Sequence, residues 1–94
     1  MLATNPIDLK KVPEKFIDQE VLRLAMMAEL DAVNLYEQLA AMAKNKHIKA
    51  VLMDVAKEEK THLGEFQTML LKLDKEQVEE LEHAKEEIEE LTGK

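Results

Sequence analysis

Between Pro13 and Lys44 the chain contains no Gly and no further Pro, and apolar residues return at Ile17, Val21, Leu22, Ala25, Ala28, Ala32, Val33, Tyr36, Leu39, Ala40 and Ala43. Steps of three and four are the period of an α-helix that keeps one face away from water. The pattern predicts a helix over residues 13–44, opened by Pro13, whose missing N–H is not needed in a first turn. Asn45-Lys46-His47 interrupts the stripe as a turn, and a second one runs through Ile48, Val51, Leu52, Val55, Leu63, Phe66, Met69, Leu70 and Leu73, predicting a helix over 48–73. Asp74 with Gln77 three residues on is a capping-box pair. A third helix over 75–92 follows, stopped by Gly93, with a narrow seam of Val78, Leu81, Ile88 and Leu91. Residues 1–12, which contain Asn5-Pro6, read as an extended lead-in.

A connection of three residues between two long helices leaves room only for an antiparallel hairpin. Two helices cannot close a core, and both stripes are wide and rich in aliphatic side chains. The remaining apolar face is expected to be buried against a second hairpin, most simply the chain's own two-fold copy. Residues 1–94 are therefore expected to form a single all-α domain: an antiparallel two-helix hairpin plus a C-terminal helix, completed to a four-helix bundle by homodimerisation.

Composition narrows the function. The chain has 94 residues, enough for one core, and 2 Gly with 2 Pro leave too few turns for a small β-barrel. Of the net charge of −7, residues 74–94 carry nearly all, with 9 of the 20 acids and 3 of the 13 bases. Such a balance, with no Lys/Arg-rich run, excludes nucleic acid and an anionic membrane as partners. The absence of Cys excludes disulfides, thiolate zinc sites and rubredoxin-type iron, so any metal must be held by N and O; it is compatible with a cytoplasmic location. No apolar run has the length of a signal peptide core or a membrane span.

Polar residues stand where the core should be. Glu29 shares the face of Leu22, Ala25, Ala32, Val33 and Tyr36, and Glu59 and His62, three apart, lie among Leu52, Val55, Phe66 and Met69. Counted from Lys46 at the turn, Glu29 lies 17 residues before, Glu59 and His62 13 and 16 after, so an antiparallel hairpin sets all three at one height. Two carboxylates and an imidazole per chain, doubled by a two-fold axis, are the ligands of a carboxylate-bridged di-iron site. Four buried carboxylates without a Lys or Arg in either stripe would carry −4, which two divalent cations offset. A solvated stretch, Glu58-Glu59-Lys60 followed incidentally by His62, is the ordinary alternative; stripe position and matched height together argue against it.

The segment Ala28-Glu29-Leu30-Asp31-Ala32-Val33-Asn34-Leu35-Tyr36, followed thirty residues after its Glu by Glu58-Glu59-Lys60-Thr61-His62, resembles the encapsulated ferritins. These are half-length members of the ferritin-like superfamily that act as ferroxidases inside encapsulin shells. The resemblance covers residues 17–92. It implies that Glu29, Glu59 and His62 bind iron across a two-fold interface, one iron per chain, with Glu59 bridging and Tyr36 close by. It implies also that the homodimers assemble into a ring-shaped decamer and that the chain works beside an encapsulin shell protein, in a cytoplasmic nanocompartment. At Leu35 a Trp stands in some relatives. At Ala28 others have an acid, so that of an outer iron-uptake site only Asp31 is matched.

On the residues alone, Tyr36 is either a core aromatic or a hydrogen-bond donor to a ligand carboxylate one heptad away. Gly64 costs about 1 kcal/mol within a helix and either permits close helix approach or is incidental. His47 and His83 read as solvent-facing, and the methionines as fillers of core or interface gaps. The expected function is iron oxidation. The alternatives are an assembly module locked by structural Zn²⁺ or Ca²⁺ and a rubrerythrin-like peroxide-reducing di-iron protein, the latter disfavoured by the missing cysteine-bound iron centre. No shell-targeting tail is evident after Gly93-Lys94, which fits a domain of a longer fusion.

Overall fold

In the computed structural model, which describes residues 7–94, two short 3-10 turns at Leu9–Lys11 and Glu14–Phe16 precede three helices: α1 (Ile17–Met42), α2 (Lys46–Leu73) and α3 (Lys75–Thr92). No strand occurs among the described residues, and the all-α class anticipated from the pattern is the class observed. The cross-helix contacts nest: Gln19 with Leu73, Arg23 with Asp74, Glu29 with His62, Glu37 with Lys60. From Gln19 and Arg23 through Glu29 to Glu37 the partners fall from Leu73 and Asp74 through His62 to Lys60, which makes α1 and α2 an antiparallel hairpin joined through residues 43–45.

Local chemistry sets the helix ends. Asn45 Oδ1 accepts from the N–H groups of His47 (2.8 Å) and Ile48 (3.2 Å), so α2 starts at Lys46 and His47 lies in its first turn rather than in the connection. Ala43 is extended, with ψ 134°, and ends α1 at Met42, two residues before the expected boundary. At the other end of α1, Pro13 has ψ 140° and precedes a 3-10 turn in which the Phe16 N–H reaches Pro13 O; Phe16, with ψ 3°, then leaves the helical region, and α1 begins at Ile17 instead of Pro13. The lead-in is not wholly extended either, because Asp8 accepts from the Lys10 N–H and folds Leu9–Lys11 into a turn; its Asn5-Pro6 part lies outside the described residues.

Asp74 serves two helices. Its N–H closes α2 on Leu70 O at 2.9 Å, and its Oδ1 accepts from the Gln77 N–H at 3.0 Å to open α3. The anticipated reciprocal bond from Gln77 has no donor to meet, since the Asp74 N–H is already given to Leu70. Gly93, at φ 74°, ends α3 in the left-handed conformation that glycine adopts without strain.

The core is thin: Val33 and Ala40 of α1 and Ala56 and Leu70 of α2 are its buried apolar residues among those described. The other large apolar side chains of the stripes stay partly open, among them Val51, Met69 and Leu73 on α2. Among the helical elements, α3 meets only α2. The radius of gyration of 16.8 Å reflects this open shape; a compact domain of this length would measure about 12 Å.

Candidate metal centre

Glu29 comes from the middle of α1, and Glu59 with His62 from the middle of α2. Being three apart, Glu59 and His62 project from adjacent turns of one face, and the hairpin register lays Glu29 across from them. Glu29 Oε2 is 3.6 Å and Glu59 Oε2 3.5 Å from the same nitrogen, His62 Nδ1, and one ligand atom from each residue can be chosen so that all lie within 4.8 Å of one another. The two carboxylates are mostly covered, with side chains 17 % and 19 % exposed, while the imidazole is open at 46 %. The cluster is thus half a cage, covered at the two carboxylates and open at the imidazole.

Its electrostatics are those of a site short of positive charge. Glu29 is raised above the ordinary carboxylate value, first by sharing a hydrogen-bonding position with Glu59, then by burial and by repulsion from the Glu59 charge. Burial disfavours the charged form of His62, but Glu59 and Glu29 outweigh it and hold the imidazole above its usual value, with Glu65 one turn on adding to the pull. Glu29 Oε2 is buried with no hydrogen-bond partner among the described atoms. A buried carboxylate oxygen without a donor is costly, and an N,O,O donor set with that oxygen free suits iron, manganese or zinc.

Tyr36 stands two turns from Glu29 along α1, half-buried, and no described hydrogen bond joins its hydroxyl to the cluster. Asp31, two residues from Glu29 and so about 200° around the helix, is not brought into it. His83 is solvent-facing as anticipated, held between Glu80 and Glu87 at 3.3 Å on each side. Gly64 is not a point of close helix approach within the chain: a Cβ there would meet nothing within 4 Å.

Two ion pairs that support the register were not singled out by the sequence pattern. Arg23, the chain's one arginine, reaches Asp74 at 3.0 Å and Glu20 at 2.8 Å, and Lys60, next to Glu59, bridges to Glu37, next to Tyr36, at 3.0 Å. That Arg23 is the one arginine of the sequence was the available signal for the first; the second required the register.

A family model of rubrerythrin matches residues 20–92, a span that includes every residue of the cluster. The crystal structure of the encapsulated ferritin domain from Pyrococcus furiosus superposes with a TM-score of 0.83 at 50 % identity, covering 100 % of this chain and 98 % of that one. The chain belongs to the rubrerythrin family, among the encapsulated ferritins. It is similar to two further proteins. One is the ferritin-like-encapsulin shell fusion protein of Pyrococcus furiosus, 52 % identical over 99 % of this chain, which spans 28 % of that protein. The other is the encapsulin nanocompartment cargo protein EncC of Myxococcus xanthus, 40 % identical over 95 % of this chain and 68 % of that protein. In this encapsulated ferritin no helix among the described residues is long and apolar enough to cross a membrane.

Proposed function

We propose that two copies of the chain, related by a two-fold axis at the open side of the cluster, form a four-helix bundle that oxidises Fe²⁺ to Fe³⁺ with O₂. The observation that carries this reading is the convergence of Glu29, Glu59 and His62 around a buried, unpartnered carboxylate oxygen. A second copy supplies the same three side chains. Glu59 from each chain would bridge two iron ions, with Glu29 and His62 closing the outer positions, one iron per chain. Each Fe²⁺ would give one electron to O₂, so that two Fe²⁺ and two protons drawn from solvent reduce one O₂ to hydrogen peroxide. The chain's own groups hold the ions close together, exchange their protons for metal, and keep bulk water from the inner side of the site. Tyr36 would donate a hydrogen bond near a ligand carboxylate in the closed bundle, and Asp31 would belong to an outer uptake site.

The relatives' names support an encapsulin context, beside or within a cytoplasmic shell where oxidised iron would accumulate; the ring-shaped decamer of dimers is part of the same proposal and is carried by the resemblance alone. A hairpin encloses no storage cavity of its own, which is consistent with that arrangement.

Anaerobic titration with Fe²⁺, followed by O₂, tests the reading. Saturation at one Fe²⁺ per chain and rapid Fe³⁺ absorbance are expected. Saturation at one metal per dimer with oxidation no faster than in buffer would replace it with an assembly module locked by Zn²⁺ or Ca²⁺. The match to rubrerythrin favours peroxide reduction as a second reading, although a chain without cysteine lacks a thiolate-bound electron-transfer iron. Repeating the oxidation with hydrogen peroxide in place of O₂ separates the two.

A further inference from the structure

One residue, Asp74, separates α2 from α3, and the covalent chain does not force the break. From Glu65 to Thr92 there is neither Gly nor Pro, so a single helix could run through both segments. Continued over residues 46–92 it would be about 70 Å long at 1.5 Å per residue. The molecule bends at Asp74 instead, and its longest principal extent is 46 Å. Apolar packing does not account for the bend: Leu73 and Val78, on either side of the corner, are 48 % and 40 % exposed, and among the helical elements α3 meets only α2.

Side chains take the place of the missing helical bonds. In a continuous helix the Gln77 N–H would donate to Leu73 O. At the corner each of these groups has another partner: the Gln77 N–H donates to Asp74 Oδ1 at 3.0 Å, and Leu73 O accepts from Gln19 Nε2 at 3.3 Å. Arg23 completes the arrangement. One guanidinium nitrogen donates to Asp74 Oδ2 at 3.0 Å and to Gln19 Oε1 at 3.5 Å, and the other donates to Glu20 Oε1 at 2.8 Å. The Asp74 side chain is only 13 % exposed, so its charge-assisted bond to Arg23 is less screened than a surface pair.

We propose that Arg23 and Gln19 of α1 form a latch on the α2–α3 corner: engaged, they keep α3 bent away from the axis of α2, and released, they let the two segments join into one helix over residues 46–92. Release costs the bonds to Asp74 and Leu73 O. Joining offsets them with helical bonds from the N–H groups of Lys75, Glu76 and Gln77 to the carbonyls of Leu71, Lys72 and Leu73, so the two arrangements are discrete. α3 holds eight acids and two lysines, and the latch therefore decides where the chain carries a net −6. None of the latch residues belongs to the metal cluster, and the latch does not depend on metal.

Distances between spin labels test the latch. The chain has no cysteine, so Lys57→Cys on α2 and Glu89→Cys on α3, both at exposed positions, take labels at two sites only. A continuous helix sets these sites about 48 Å apart, and a bend brings them closer. Labelled chains are diluted into unlabelled ones so that only distances within a chain are read. The chain with its latch intact should give the shorter distance. Arg23→Ala with Gln19→Ala should raise the ratio of straight to bent molecules at least about tenfold, the effect of losing one charge-assisted and one neutral hydrogen bond. Adding Lys75→Pro should bring the shorter distance back, because proline suits the first position of α3 but not the interior of a joined helix. Arg23→Gln should shift the distribution part of the way. An unchanged distribution in the double alanine variant overturns the proposal, as does a long distance that Lys75→Pro fails to shorten; should the double variant lose its helical circular dichroism, an unchanged distribution in Arg23→Gln overturns it instead.

Discussion

Glu29 Oε2 lies 3.6 Å from His62 Nδ1, too far for a hydrogen bond, and the carboxylate oxygen is buried with no other partner. A carboxylate oxygen removed from water and left without a hydrogen bond is the feature of this hairpin that a metal ion would relieve. The functional predictions follow from it.

Glu29→Ala, Glu59→Ala and His62→Ala should each lower the rate of Fe²⁺ oxidation to that of buffer while the far-ultraviolet circular dichroism stays helical. Glu29→Gln should leave the chelated protein as stable as wild type or more so, since it removes a carboxylate that repels Glu59. Wild-type oxidation rates in the three alanine variants, measured by stopped-flow absorbance, would refute the assignment.

Without metal, stability should rise as the pH falls from about 8 through the histidine range. Glu29 and His62 are both raised in the folded chain, so folding takes up protons there; their contribution is present below the ordinary values of 4.5 and 6.5 and is lost as pH rises through the raised ones. Asp74 acts oppositely. Its carboxylate is held below the ordinary 3.8, first by the Gln77 N–H and then by Arg23, so its contribution is present above 3.8 and disappears in stronger acid. Thermal midpoints across this range in chelator check both slopes. Asp74→Asn should flatten the acid limb and a Glu29→Gln, His62→Gln double variant the neutral one.

Chelation should shift the oligomer distribution towards smaller species and lower the thermal midpoint, because a ligand held only by the folded, paired state stabilises it by mass action. Sedimentation with and without Fe²⁺ makes the comparison. Zn²⁺ should restore assembly and block oxidation, as it takes the same donors without changing oxidation state. Identical profiles under both conditions would count against a metal between chains.

Tyr36→Phe should slow turnover by less than about tenfold with iron stoichiometry unchanged, the effect of losing a hydrogen bond beside the ligands and not a ligand. Loss of iron binding in a direct titration would promote Tyr36 to a ligand.

Gly64→Ala should stabilise the protein by about 0.5–1 kcal/mol, the usual difference between the two residues inside a helix, because the added Cβ meets nothing within 4 Å. Chemical denaturation measures it. A net loss of stability would mean that a second copy approaches α2 on that face.

What the sequence determined by itself was everything that depends on neighbours a few residues apart. The helical period is a local property, and so are the Asn45 cap, the Asp74 cap and the Gly93 stop; all act through hydrogen bonds that span two to four residues. The heights of Glu29, Glu59 and His62 were legible too, because a short connection between long helices leaves one register to count from. Two local details lay outside the pattern, the start of α1 after Phe16 and the bond from the Asp74 N–H to Leu70 O four residues back; the tertiary structure decided the rest. It alone showed that Arg23 clasps Asp74 across 51 positions, that Lys60 ties Glu37 beside the cluster, and that one oxygen of Glu29 is buried without a partner. It also swung α3 clear of the hairpin. Those outcomes turn on distances between side chains from different helices, and a periodic pattern constrains which face a residue occupies without specifying what reaches it from across the fold.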